Sequence, residues 1–87
     1  MIVKIREICG KQILIRQQIV KLRDCILNLK EKDLILDFDG VKLVTRASAD
    51  EFLKVLEYLK SKNYQIKITN LENEPKKIIE IVSNSTQ

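Results

Sequence analysis

Two carboxylates close to the middle of the chain have the spacing of a small reactive site. Asp37 and Asp39 follow the apolar run Leu34-Ile35-Leu36, which predicts a buried strand. Ligand sites of α/β proteins lie at the carboxyl ends of such strands, where both side chains would stand. A structural role is the alternative for the same residues, in which Asp39-Gly40 makes a turn and Asp37 caps or hydrogen-bonds the loop after the strand.

The segment from Leu34 to Val41 resembles the first motif of haloacid-dehalogenase-type phosphatases. That resemblance implies Asp37 as the nucleophile and Asp39 as the acid and base, with Mg²⁺ between them. The family also needs a downstream lysine and an acidic pair on a later strand, where this chain offers only residues 69–72, Thr-Asn-Leu-Glu. A Mg²⁺-dependent phosphatase is therefore an alternative, and we expect a protein that is not an enzyme.

Ser48 is the second candidate for chemistry. Ser48 and Glu51 have the spacing of a capping box, which predicts the start of a helix. A phosphate on this hydroxyl would lie near exposed N–H groups at the helix end, and it could disrupt a partner surface. Thr45 and Arg46 belong to the same loop. Ser48 is therefore our candidate for phosphorylation, with the helix cap as the structural alternative.

Thiol and metal chemistry are poorly supported. Cys9 and Cys25 are far apart and the chain has no histidine, so neither a zinc site nor a Cys–His nucleophile can be assembled in the usual way. Cys25 fits a helical pattern as a core or boundary residue. We expect no cofactor and no metal, and we expect a cytoplasmic protein without a leader or a membrane span.

Composition indicates one small globular domain, residues 1–87. Hydrophobic residues make up 45% of the chain and charged residues 32%, which is normal for a globular protein. Because aromatic residues make up only 5%, a core must be built mainly from Ile, Leu and Val. The net charge of +4 comes from cations interleaved with acids, which favours a solvated surface over a nucleic-acid interface. A weak nucleic-acid-binding element on the first and third helices is the remaining alternative.

The hydrophobic pattern alternates strand and helix three times. Strands are predicted over residues 2–8, 33–38 and 64–69, and helices over 14–29, 49–62 and from Pro75 to about Val82. Asn63 is a predicted left-handed helix stop, and residues 83–87 are a predicted frayed tail. The order βαβαβα indicates an α/β fold with a small, mostly parallel sheet of three to four strands. Residues 41–44 would supply the fourth strand at an edge, and the apolar strand at 33–38 predicts a sheet covered on both faces.

Several motifs resemble the STAS-like family, relatives of the sulfate-transporter and anti-sigma-factor-antagonist domains. The resemblance covers about residues 5–82. It rests on the following residues: Gly10, Leu14, Arg16, Asp37-Phe38-Asp39-Gly40-Val41 and Ala49-Asp50-Glu51-Phe52. The family usually carries Ser-Phe before Ala-Asp-Glu, whereas Ala47 and Ser48 stand here.

The STAS-like resemblance implies a non-enzymatic signalling module that docks a partner protein, such as an ATP-binding, kinase-like regulator. Docking would use the loop and the helix start after the central strand. The residues we expect at the interface are Asp39, Thr45, Arg46, Ser48, Asp50 and Lys54, with Arg16 from the first helix. An open sheet edge on a thin core also makes a homodimer plausible.

Overall fold

Strands and helices alternate along residues 1–85, the part of the chain that a computed structural model describes. The α/β class and the small parallel sheet are confirmed. The elements in chain order are β1 (Ile2–Lys4), α1 (Ile5–Cys9), β2 (Gln12–Ile13), α2 (Arg16–Asn28), β3 (Asp33–Asp37), β4 (Leu43–Val44), α3 (Arg46–Ser61), β5 (Gln65–Thr69) and α4 (Asn73–Ser85). No helix within residues 1–85 has the length and apolar character to cross a bilayer.

The predicted first strand is shorter than expected. β1 ends at Lys4, and the helical turn α1 replaces the rest of the predicted strand. Ile5 and Cys9 are both buried and lie four positions apart, which places them on one side of a helical turn. Gly10 ends this turn with a φ of +89°, a conformation that glycine adopts without a steric cost.

Three parallel strands form the main sheet in the order β1-β3-β5. β3 is central, since Ile35 pairs with Ile2 on one side and with Lys67 on the other. The expected strand at 41–44 forms only as β4, and it does not join the edge of this sheet. It pairs instead with β2 in a separate parallel ribbon, with Gln12 opposite Leu43 and Ile13 opposite Val44.

Among residues 1–85, no helix covers one face of the main sheet. Each successive strand of the main sheet lies on the same side of the one before it, in the order β1-β3-β5. Right-handed connections between strands added in a single direction place all their helices on the same face of the sheet. On that face Leu34 and Leu36 are buried, and α3 packs between α2 and α4. On the other face, hereafter the open face, Ile35 is half-buried and Ile2 is 61% exposed. The expectation of a sheet covered on both faces is therefore wrong.

The core lies between the covered face of the sheet and the helices. Phe38, just after β3, meets Phe52 of α3 edge-to-face, with ring centroids 5.3 Å apart and planes at 81°. Aliphatic side chains fill the remaining volume. Those with at most 2% exposure include Ile5, Ile13, Ile19, Leu22, Ile26, Leu34, Leu36, Val41 and Leu59.

Most of the predicted helix ends lie close to the observed ones. Asn63 has a φ of +70°, so the predicted left-handed stop after α3 is confirmed. α4 continues through Ser83 to Ser85, where we expected a frayed tail, and residues 86–87 lie outside the described part. Cys25 is half-buried, as the boundary interpretation predicted.

Candidate functional site

Three of the predicted interface residues come together where α2 and α3 begin. The Arg16 guanidinium donates to Asp50 Oδ2 at 2.7 Å and to Glu51 Oε1 at 3.3 Å. The Lys54 ammonium lies 3.2 Å from the same Asp50 oxygen. Arg16, Asp50, Glu51 and Lys54 are called the Arg16 cluster below. Glu51 was predicted as a helix-capping residue and as part of the STAS-like motif, and not as an interface residue.

Arg16 and Asp50 stay ionised at neutral pH. Hydrogen bonding from Arg16, and then from Lys54, lowers the pKa of the Asp50 carboxyl below its ordinary value. The hydrogen bond to Asp50 in turn raises the pKa of the Arg16 guanidinium. The side chains are partly exposed, at 45% for Arg16 and 24% for Asp50, so water and salt screen their attraction. The cluster therefore orients surface charges more than it stabilises the fold.

Gln18 fixes the start of α2, and with it the position of the cluster. Its amide oxygen accepts hydrogen bonds from the N–H groups of Leu14 and Ile15, at 2.7 and 3.0 Å. Its amide nitrogen donates to the carbonyls of Cys9 and Gln12, both at 2.8 Å. One side chain thus ties α1, β2 and the first turn of α2 together. Gln18 lies four residues after the predicted helix start and two after the observed one, and no distinguishing signal in the sequence marked it.

A groove of about 430 Å³ runs between α2 and α3 beside the Arg16 cluster. It is called the α2–α3 groove below. Its lining consists of Arg23, Leu27, Glu51, Lys54, Val55 and Tyr58. Leu27 is 41% exposed and Tyr58 is 44% exposed, so apolar surface faces solvent between charged side chains. The sequence carried a signal for both residues, because each is apolar and lies off the buried stripe of its helix.

Thr45, not Ser48, caps α3. The helix begins at Arg46, and Thr45 Oγ1 accepts a hydrogen bond from the Ser48 N–H at 3.2 Å. Thr45 Oγ1 also donates to the carbonyl of Leu14 at 2.9 Å, which holds this cap against the start of α2. The capping box predicted at Ser48 is therefore wrong, because the helix starts one turn earlier.

Ser48 lies inside the first turn of α3 and is fully buried. Its hydroxyl is 3.0 Å from the hydroxyl of Thr45. The expectation of an exposed Ser48 at a docking surface is wrong, since the core covers it. A kinase could reach this hydroxyl only after the first turn of α3 had opened.

The remaining predicted interface residues lie outside the cluster. Arg46 is exposed at the first position of α3, and within residues 1–85 it has no ion-pair partner. Asp39 is exposed in the loop after β3, at the carboxyl end of the sheet. The structure therefore joins Arg16, Asp50 and Lys54 in one contact network and leaves Arg46 and Asp39 separate from it.

The two aspartates of the phosphatase-like motif hold a loop. Asp37 Oδ1 accepts from the Asp39 N–H and from the Asn70 side-chain amide, both at 2.9 Å. The predicted hydrogen bonding of the loop by Asp37 is confirmed. No cluster of three or more metal-binding side chains occurs within the described residues. The main sheet also has no reversal of strand order, which is where α/β proteins open a ligand crevice.

Removing the Asn70 amide is expected to change the acid response of the protein. The hydrogen bond from Asn70, followed by that from the Asp39 N–H, lowers the pKa of Asp37. Because the folded-state pKa is depressed, the resulting stability is complete above about pH 4 and is lost as the pH falls through the lowered pKa. Asn70→Gly, which keeps the positive φ, should raise the Asp37 pKa and flatten the fall in stability with acid.

The matched control is Asn63→Gly, since Asn63 also has a positive φ but does not contact Asp37. Carbon-13 NMR titration of the carboxyl groups, with urea unfolding at pH 7 and pH 2.5, measures both effects. An unchanged Asp37 titration in Asn70→Gly would show that the amide is not what lowers this pKa.

Cys9 is a structural thiol. Burial, with a smaller contribution from Cys25, raises its pKa to about 11. Its Sγ donates to the carbonyl of Gln18 at 3.2 Å. A thiol that remains protonated at neutral pH is a poor nucleophile, so Cys9 acts here through packing and this weak hydrogen bond.

Comparison with known protein families, curated proteins and solved structures finds no match to this chain. The resemblance to the STAS-like family therefore stays a prediction from its motifs.

Proposed function

We propose that this chain is a regulatory protein-interaction module that docks a partner protein at the α2–α3 groove. One observation carries the proposal: Leu27 and Tyr58 expose apolar surface in a groove whose lining includes Glu51 and Lys54 of the Arg16 cluster. Apolar and aromatic anchors surrounded by charged side chains are typical of protein interfaces. The proposed role is non-enzymatic. The Asp37 carboxylate, which the phosphatase alternative would use as its nucleophile, already accepts a hydrogen bond that holds a loop.

Charge and apolar contact would contribute differently to docking. Leu27 and Tyr58 would supply most of the binding free energy, because burying them removes apolar area from water. Arg16 and Lys54 would set orientation and the rate of encounter, because rim charges act mainly on association. Arg46, exposed at the first position of α3 and outside the cluster, would add a positive charge at the start of the same helix.

The resemblance to the STAS-like family indicates which class of partner protein we propose. Under this proposal the partner is an ATP-binding, kinase-like regulator, and the encounter takes place in the cytoplasm. Two unpaired thiols support a reducing compartment. Buried Ser48 makes phosphorylation a less direct means of control than the resemblance implies.

We expect a photo-crosslinking amino acid at position 58 to attach the partner, and the same probe at exposed Lys76 of α4 to leave it free. Mass spectrometry then identifies the partner, and calorimetry with both pure proteins gives the affinity. Leu27→Glu should weaken binding about tenfold or more, because it places a charge against an apolar anchor. Lys54→Glu should slow association and reduce its dependence on salt.

Lys76→Glu is the matched control for Lys54→Glu, since Lys76 is exposed on a helix outside the groove, and its larger change in charge makes it a strict control for Leu27→Glu. Arg46→Glu tests whether the interface extends along the start of α3. Equal affinities for Leu27→Glu and Lys76→Glu would rule out the α2–α3 groove as the docking site.

A further inference from the structure

The outer edge of β5 has backbone groups that no strand of the described residues pairs with. β5 pairs with β3 on one side and is the last strand of the sheet on the other. The Gln65 N–H donates to the Lys32 carbonyl at 2.8 Å, and the Thr69 carbonyl accepts from the Phe38 N–H at 2.9 Å. Odd-numbered residues of β5 therefore bond inward, and the N–H and C=O groups of Ile66 and Ile68 point outward.

The side chains along this edge differ between the two faces. Lys67 is exposed on the open face, and no carboxylate of the described residues lies within ion-pair distance of its ammonium. Ile68 points to the covered face beside Leu36, yet it is 38% exposed. A neighbouring strand would thus find a positive charge on one face and apolar surface on the other.

We propose that the β5 edge binds an extended segment of another protein whose side chains alternate between apolar and acidic. Backbone hydrogen bonds to Ile66 and Ile68 would add this segment as a fourth strand. Its apolar side chains would pack beside Ile68, and its acidic side chains would lie beside Lys67, since successive residues of a strand point to opposite faces.

A second copy of the chain fits this edge poorly. If two β5 strands pair antiparallel, the outward N–H and C=O groups of both Ile66 and Ile68 form hydrogen bonds in one register only. In that register Ile66 of each copy lies opposite Ile68 of the other. That register places Lys67 directly opposite Lys67, and like charges at opposed positions destabilise a strand pair. Registers shifted by two residues avoid the clash but use only one of the two outward-facing residues. Lysine on an edge strand therefore opposes self-pairing and leaves an acidic strand favoured.

The test is amide hydrogen exchange of the full chain, followed by NMR, with a blocked peptide of alternating valine and glutamate as the probe. Without peptide, the amides of Ile66 and Ile68 should exchange much faster than that of Lys67. Saturating peptide should slow exchange at Ile66 and Ile68 about tenfold or more, since each gains an acceptor. Residues of the α2–α3 groove should be unaffected, so failure here is distinct from failure of the proposed function.

Lys67→Glu provides the charge-swapped control. This variant should lose binding to the valine–glutamate peptide and gain binding to a valine–lysine peptide. Unchanged exchange at Ile66 and Ile68 in saturating peptide would overturn the proposal. So would a chain that dimerises in solution with those two amides already protected, because a second copy would then occupy the edge.

Discussion

Phe52→Ala is expected to unfold a large fraction of the molecules at physiological temperature. Phe52 is 2% exposed and packs edge-to-face on Phe38, so its removal leaves a cavity and breaks an aromatic pair. Such truncations cost about 3–5 kcal/mol in buried positions. Small domains have a total stability of about 5–15 kcal/mol, and a chain of 87 residues belongs to the lower part of that range.

Chemical denaturation followed by circular dichroism measures this loss as a shift of the unfolding midpoint. Phe52→Leu retains most of the volume and should cost only about 1 kcal/mol. Tyr58→Ala removes an aromatic side chain from the exposed face of the same helix, and its effect on stability should be within about 0.5 kcal/mol. Equal losses for Phe52→Ala and Tyr58→Ala would contradict the described packing of α3.

Ser48→Glu is expected to destabilise the fold by about 2–5 kcal/mol, because it forces a carboxylate into a fully buried site. The added length also has to displace Thr45, whose hydroxyl is 3.0 Å from that of Ser48. Thermal unfolding and the free energy of unfolding in urea both measure the effect. Addition of a phosphate to this hydroxyl should act in the same direction, through the fold and not only through a partner surface.

Ala47→Glu is the matched control for Ser48→Glu. Ala47 is the adjacent residue in the first turn of α3, but it is exposed, and a negative charge there interacts favourably with the helix dipole. We expect Ala47→Glu to leave stability unchanged or slightly raised. A stable Ser48→Glu variant would mean that the first turn of α3 opens at little cost, and phosphorylation would regain support.

Local patterns predicted the two central helices and the strand between them. The stripe through Ile19, Leu22 and Ile26 is buried in α2, and the stripe through Phe52, Leu56 and Leu59 is buried in α3. Periodicity is informative here because one face of each helix carries nearly all the apolar residues. The Asp37 interaction with the next loop was also predictable, since an aspartate before a turn hydrogen-bonds the backbone two residues later.

The features that the sequence did not predict depend on contacts between distant parts of the chain. Ile5 is apolar in both a strand pattern and a helical one, and only the burial of Ile5 with Cys9 against the core selects α1. The consecutive apolar residues Leu34, Ile35 and Leu36 suggested two covered faces. Strand order determines how many faces the helices cover, and strand order is not encoded in any local pattern.

The charged residues of the candidate site could be predicted from the sequence, but their arrangement in space could not. Arg16, Asp50 and Lys54 were expected at an interface. The Lys54–Asp50 ion pair joins residues four positions apart on α3, whereas the Arg16–Asp50 ion pair depends on how α2 packs on α3. Ser48 was misplaced because Thr45 and Ser48 are both good caps, and Thr45 also gains a bond to the Leu14 carbonyl. That contact joins residues 31 positions apart, beyond the reach of local capping rules.

The unequal lengths of the strands flanking β3 determine which part of the sheet detaches first. Ile2 pairs with Ile35 and Asp33 pairs with Gln65, so both pairings close chain segments of nearly equal length and lose similar entropy. β5 contributes five residue pairs to β3 and β1 contributes three. We therefore expect the unit β3-α3-β5 to be the more persistent cooperative block, and β1 to detach from β3 before β5 does, which would bare the second edge of β3.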